Sequence, residues 1–218
     1  MKNFFRKVAF GIGPNEQAPS DPLKWALDQV NDVPELSWKG KIYSEKELRK
    51  HYRDWVYGDR KVLRKKYKDN KTLYKTHKDI LRHKTGQKFW ESLEISIRHN
   101  EGINSSSPVL AKLWMFWGNF FAISEKDFLA NYSTGAYQRE IIRPNLNQSF
   151  EKMVYDVTTS WAMIHHLDNS ESAGPKSVTA GEEWRRRKKE PATINENHAR
   201  ELLEPVSYTH LTLPTTEA

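Results

Sequence analysis

The nine residues Val109-Leu110-Ala111-Lys112-Leu113-Trp114-Met115-Phe116-Trp117 carry one charge and neither glycine nor proline. Wound as a helix, such a segment is apolar on nearly every side, and a helix of that kind persists only where other elements surround it. The expectation is a central, buried helix. What can surround it is limited, because the rest of the chain has no alternating apolar–polar run of useful length and no internal repeat. Elsewhere apolar residues recur at three- and four-residue spacing, which marks amphipathic helices. The chain therefore reads as all-α, an irregular multi-helix domain with long amphipathic helices.

Local signals place those helices. Phe4, Phe5, Val8, Ala9 and Phe10 form a short helix that Gly11, Gly13 and Pro14 stop. Ser20-Asp21-Pro22 supplies an N-cap and a proline for the first turn, with Leu23, Ala26, Leu27 and Val30 on one face behind it. Ser44 and Glu47 fit a capping box, followed by Leu48, Tyr52, Trp55 and Val56 at helical spacing. Gly58-Asp59 predicts a break. From Arg60 to about Asn100 the pattern predicts two long helices with basic outer faces. Ser124 to Asp127 caps a further short helix, and Tyr137–Ile142, Phe150–Val157 and Trp161–Leu167 add helical turns. Asp168 to Ile194, with the basic run Arg185 to Lys189, reads as a long exposed loop before a last helix from Glu196 to about Glu204.

Composition bears on class. Eight Trp among 218 residues supply core area that a modest 37% apolar content would otherwise lack. With no cysteine there is no disulfide framework and no thiolate zinc site. No run approaches the roughly 20 apolar residues of a membrane span, and Arg6 and Lys7 interrupt the N-terminal apolar stretch before a signal-peptide core forms. Charge is unevenly spread. Between Lys46 and Lys88 stand sixteen Lys/Arg against five Asp/Glu, a net +11 in a chain of net +7. Such a block is either a solvated helical face or the footprint of an anionic partner: nucleic acid, a membrane surface or an acidic protein.

The last fourteen residues, Pro205 to Ala218, have no charged side chain before Glu217, and Pro205 abuts a helix still in progress. Pro205–Thr216 resembles one translated frame of a transposase-type sequencing adapter. The expectation is that residues 205–218 are a non-native tail and that 1–204 are the N-terminal portion of a single helical domain.

Two polar blocks are candidates for chemistry. One is His165-His166-Leu167-Asp168-Asn169-Ser170-Glu171-Ser172, and the other is Asn195 to Glu204. On a helix Asn197, Arg200, Glu201 and Glu204 share a face, so Arg200 can sit between carboxylates or clamp an anion. Asp168, Glu196, Arg200 and Glu201 are the candidate catalytic set, as general acid and base or as hard oxygen ligands for Ca²⁺ or Mg²⁺. Asn169, Asn195, Asn197 and His198 are the candidate binding set. Against this stands a satisfied network that pins the long loop to the helix. His165, His166 and His198 lack the spacing of a zinc helix motif. No P-loop, GxGxxG or GxSxG occurs, and no motif names a cofactor.

At these blocks the chain resembles a bacterial family known as domain of unknown function 1800. The likeness lies in Phe5–Gly11, Leu113–Phe121, Met163–Pro175 and Asn195–Glu204, of which Asn-Glu-Asn-x-Ala-Arg-Glu-Leu is the most specific string. The resemblance implies a helical protein about twice this length, so that the present chain is truncated and the Val109–Trp117 and Asn195 helices lack packing partners. It implies an extracytoplasmic setting and a protein partner, since members lie beside a second family that looks sulfatase-like, although this chain shows no signal peptide. It transfers no catalytic role. One departure is Asn119-Phe120-Phe121, where the family has Asn-His-Phe; either the site has changed or the sequence carries an error there. Three readings follow in order: an accessory or binding protein acting with a partner in envelope or polymer processing, a hydrolase using the Asp168/Glu196/Arg200/Glu201 set, and a nucleic-acid binder using Lys46–Lys88 with Tyr52, Trp55, Tyr67 and Tyr74 exposed beside the cations.

Overall fold

The computed structural model describes residues 2–13, 17–124, 129–177 and 193–201. Backbone contacts divide the chain into two compact units, Met1–Val157 and Thr158–Ala218, which are taken in turn. Among the described residues there is no strand, so the fold is all-α. No helix among them is long and apolar enough to cross a membrane.

In the first unit, α1 (Lys2–Val8) ends before Gly11, whose φ of +108° suits glycine alone. Helix α2 (Pro22–Val30) begins as its sequence dictates, with the Asp21 carboxylate accepting the Lys24 N–H at 2.9 Å and Pro22 in the first turn. Its inward face differs from the expected one. Ala26 is buried, but Leu23 and Leu27 are 61% and 55% exposed. Trp25 turns inward instead, edge-on to Phe5 at 5.3 Å, and Gln29 accepts the Val109 N–H at 3.1 Å. The larger ring removes more area from water and takes the core position.

The capping box at α3 (Glu45–Arg53) is complete: Ser44 accepts the Glu47 N–H, and the Glu47 carboxylate accepts the Ser44 N–H. The break expected at Gly58-Asp59 does not occur. A π-helical segment, Asp54–Asp59, leads directly into α4 (Arg60–Lys66), keeping Leu48, Trp55 and Leu63 buried. The stretch expected as two helices is three: α4, α5 (Lys71–Lys84) and α6 (Gln87–Asn104). Tyr67 leaves helical geometry, and the Asn70 side chain restarts the helix by accepting the Leu73 N–H at 3.0 Å. Helix α5 buries none of its residues, in keeping with a basic outer face.

One core cluster gathers Leu48, Trp55, Trp90, Tyr132 and Ala136, with Tyr43, Tyr52, Val56, Leu81 and Leu93 packed against it. Helix α7 (Pro108–Phe120) buries Val109, Leu110, Ala111, Trp114 and Gly118 against α2, α6 and the segment after α8. It is central on one side only, because Phe116 and Phe120 are 55% and 41% exposed. Helix α8 (Ala130–Tyr137) runs into a second π-helical segment, Gln138–Ile142, and a 3₁₀ turn, Arg143–Asn145, before α9 (Phe150–Thr159). Helices α6 and α8 approach so closely that a Cβ on Gly135 would lie 2.2 Å from the Glu94 Cβ. The cap expected at Ser124–Asp127 falls largely on residues 125–128, outside the described residues.

In the second unit, Ser160 caps α10 (Trp161–His166) by accepting the Met163 N–H at 3.3 Å. Asp168 turns the chain with φ +57°, a left-handed value that Asp tolerates better than most residues. A short 3₁₀ turn, Asn169–Glu171, follows, and residues 197–201 are helical. Residues 178–192, with the basic run, and 202–218, with the tail expected to be foreign, lie outside the described residues.

The core carries a pH signature. His51 stacks on Trp90 at 4.2 Å, and burial pushes its pKa below the ordinary 6.5 against the pull of the Asp54 carboxylate. The fold therefore favours neutral His51. Its contribution is fully present above pH 6.5 and declines as pH falls below that value. Thermal melts at pH 7 and 5.5 are expected to show a smaller loss of Tm for His51→Gln than for the unsubstituted chain; equal losses would remove His51 as the cause.

Candidate functional site

The residues singled out in the sequence meet in part, all within the second unit. The Asn195 side-chain amide donates to the Leu167 and Asp168 carbonyls at 3.4 Å each, and its N–H donates to the Ser172 hydroxyl at 3.0 Å. Ser172 in turn donates to the Asn169 side-chain oxygen at 2.8 Å. The Ala173 N–H donates to the Thr193 carbonyl at 3.0 Å. Asn195 thus ties the turn after α10 to the start of the last helix, and its own side-chain oxygen caps that helix through the Asn197 N–H at 3.0 Å. These bonds engage the Asn195 amide and the Asn169 side-chain oxygen.

Asp168 enters that knot through its carbonyl, and the remaining charged members lie along the last helix or at its start. Arg200 donates to the Asn197 side-chain oxygen at 3.0 Å and stands 3.6 Å from the Glu201 carboxylate. Asp168, Glu196, Asn197, Arg200 and Glu201 are all exposed. Among the described residues no three His, Asp or Glu side chains are grouped so as to hold a metal ion. His198 is half-buried, and its Nδ1 is buried without a hydrogen-bond partner. The geometry is that of a pinned loop, with charges arrayed along one short helix.

A second polar locus, missed in the sequence, is far more buried. Arg139, in the π-helical segment after α8, forks onto the Glu94 carboxylate of α6 at 2.8 and 3.2 Å. It also donates to Glu140 at 2.9 Å and to the Tyr43 carbonyl at 2.6 Å. The Arg139 and Glu94 side chains are 6% and 9% exposed. Burial opposes the guanidinium charge, but the two carboxylates outweigh it and raise the Arg139 pKa above its usual value. Glu140 accepts the Glu45 N–H at 3.2 Å, which extends the network to the start of α3. Burial also raises the Glu45 carboxyl pKa, against Arg49 and with help from Glu140. Four residues further on, Arg143 pairs with buried Glu101 at 3.3 Å and donates to the Pro34 carbonyl at 2.5 Å, while Ser37 donates to Glu101 through its N–H and hydroxyl at 2.9 and 2.8 Å.

Beside Arg139 lies a cleft of about 190 Å³ that Glu94, Arg98, Asn131 and Gln138 line over Trp114. Arg98 donates to the Gln138 side-chain oxygen at 2.5 Å, and the Trp114 indole donates to the Gln138 carbonyl at 2.7 Å. Gly118 leaves room for Gln138, since a Cβ there would meet its amide at 3.2 Å. Glu94 is neutralised by Arg139, and Glu91 is paired with Lys88. The cleft therefore presents matched polar partners rather than a poised acid or base. A residue scan could have flagged it: Gln138-Arg139-Glu140 interrupts an otherwise apolar stretch from Ala136 to Ile142.

In the basic block, three of the four aromatics expected to stack on a nucleic acid are engaged by neighbours, while Tyr57 in the same block is 61% exposed. Trp55 is buried, Tyr52 packs edge-on to Tyr132 at 5.7 Å, and Tyr67 stacks on His77 at 4.6 Å.

A family model described as Protein of unknown function (DUF1800) matches residues 3–205. No curated protein and no solved structure matches the chain.

The Arg139–Glu94 pair makes a direct prediction. Arg139→Met leaves Glu94 buried without its counter-charge, a change that costs about 3–5 kcal/mol. The double variant Glu94→Leu/Arg139→Met removes both charges and is expected to recover much of that loss in urea unfolding. A double variant less stable than the single one would show that the pair does not act as a unit.

Proposed function

The chain belongs to the DUF1800 family, and from that premise we propose that it is a helical binding protein whose partner is another protein, seated on the open side of α7. The supporting observation is an aromatic cluster. Phe116, Trp117, Phe120 and Phe121 at the end of α7 meet Phe150 of α9, with ring centroids 5.1 Å apart for Phe116–Trp117, 5.4 Å for Trp117–Phe120 and 5.7 Å for Trp117–Phe150. Phe150 is 47% exposed beside the open rings of Phe116 and Phe120. Contiguous exposed aromatics are costly in water, and they are the residues that anchor protein interfaces. Four of the five belong to the Leu113–Phe121 segment that carries the family likeness. The reading takes residues 1–204 as a portion of one family domain and places the partner in envelope or polymer processing, in keeping with that likeness.

The other two readings have less behind them. A hydrolase built on Asp168, Glu196, Arg200 and Glu201 needs a cleft that gathers them, whereas each is exposed and Arg200 bonds along its own helix. A nucleic-acid surface needs the stacking rings that packing has engaged.

Photo-crosslinking tests the proposal. A benzophenone side chain at position 116 in the native host is expected to yield one discrete protein adduct. That adduct should drop at least fivefold in a Phe120→Ser/Phe150→Ser background. No adduct, or the same adducts from a probe at Lys176, contradicts it.

A further inference from the structure

A different surface, on α4 and α5, carries an inference that does not depend on the α7 reading. Between Arg60 and Lys84 stand eleven Lys/Arg against two Asp/Glu. Of those two acids, Asp79 already faces Arg82 and His83. The cations do not stand alone. Tyr57 is 61% exposed and Val62 65% exposed on one helical stretch, and Leu73 and Ile80, 44% and 45% exposed, lie two turns apart on one side of α5. The π-helical turn before α4 sets Tyr57 beside Lys61, whose ammonium lies 5.3 Å from the ring centroid.

Val56, Tyr57 and the stems of Arg60, Lys61 and Arg64 line a groove of about 210 Å³. Against the opposing effect of burial, Arg60, Arg64 and Lys78 also hold the Tyr74 phenol below its ordinary pKa. Two guanidiniums and an ammonium, those of Arg60, Arg64 and Lys61, thus stand around an apolar groove walled by their own methylenes. Long cationic side chains that lay their stems along apolar surface and raise their charges to the rim suit a boundary between hydrocarbon and anionic headgroups.

We propose that the α4–α5 face docks on an anionic phospholipid bilayer, with Arg60, Lys61, Arg64 and Lys78 on lipid phosphates and Tyr57 and Val62 at the acyl boundary. Charge complementarity alone would also suit a nucleic acid. Two observations favour lipid. Trp55, Tyr52 and Tyr67 are engaged within the fold, which leaves Tyr57 as a single largely exposed ring on this face where a strand of bases is held by several. The exposed aliphatic side chains Val62, Leu73 and Ile80 have no counterpart in a phosphodiester strand, but they gain by leaving water at a bilayer surface.

The full chain is sedimented with vesicles of phosphatidylcholine alone and of phosphatidylcholine with 30% phosphatidylglycerol, the latter at low and high salt. Binding to the anionic vesicles is expected to be at least tenfold tighter than to the neutral ones and to weaken as salt rises. Lys61→Gln/Arg64→Gln should weaken it at least tenfold, and Tyr57→Asn/Val62→Asn at least threefold. Lys7→Gln/Lys176→Gln removes the same charge elsewhere and should change it less than twofold. All substituted side chains except the partly shielded Lys61 and Arg64 stems are open to solvent, and circular dichroism verifies that each variant is as helical as the parent. The proposal is overturned if neutral vesicles bind equally, if the control pair weakens binding as much as the α4 pair, or if a single-stranded oligonucleotide or polyglutamate of equal charge binds more tightly than the vesicles.

Discussion

Arg139 is the interaction around which the first unit is organised. One guanidinium reaches a carboxylate on α6, the neighbouring Glu140 and the Tyr43 carbonyl ahead of α3. Removing a charge from water is expensive, and the expense is offset only where every donor finds an acceptor in good geometry. That requirement fixes the π-helical turn at Gln138–Ile142, which brings Arg139 onto Glu94 while Gln138 meets Arg98 and Trp114. It also explains Gly135, because the fork reaches Glu94 only if α8 lies against α6 with no side chain between them.

The functional consequence is a division of labour between buried and exposed groups. The well-placed carboxylates of the interior, Glu94 and Glu101, are neutralised by Arg139 and Arg143 and serve the fold. Among the described residues, the two surfaces proposed for partners are the aromatic end of α7 and the cationic pair α4 and α5. Both are surfaces whose exposed apolar area is costly in water until something covers it.

Local chemistry was legible in the sequence where it acts over three or four residues. Asp21-Pro22 and the Ser44–Glu47 box start helices because their side chains bond the nearest orphan N–H groups. The resemblance carried by Leu113–Phe121 and Asn195–Glu204 pointed to the family that the match over residues 3–205 shows. Illegible were the features set by distant partners. Glu94 and Arg139 are 45 residues apart, so no spacing announces them. Both π-helical turns shift the register by one residue, which a 3.6-residue pattern cannot display. Trp25 displaced Leu23 and Leu27 from the inner face because Phe5 was there to receive it. For the candidate site, Asn169 and Asn195 stood in the candidate binding set, but their link through Ser172 and the bonds of Asn195 to the Leu167 and Asp168 carbonyls span more than twenty residues and leave no local spacing signal.

Hydrogen–deuterium exchange of the full chain, followed by mass spectrometry, tests most directly whether the Arg139 network is the framework on which the rest depends. Peptides covering residues 90–101 and 130–142, which hold Glu94, Glu101 and Arg139, are predicted to exchange most slowly. Residues 71–84 of α5, none of them buried, should exchange at least tenfold faster. Protection of α5 equal to that of α6, or rapid exchange across residues 130–142, would contradict the account.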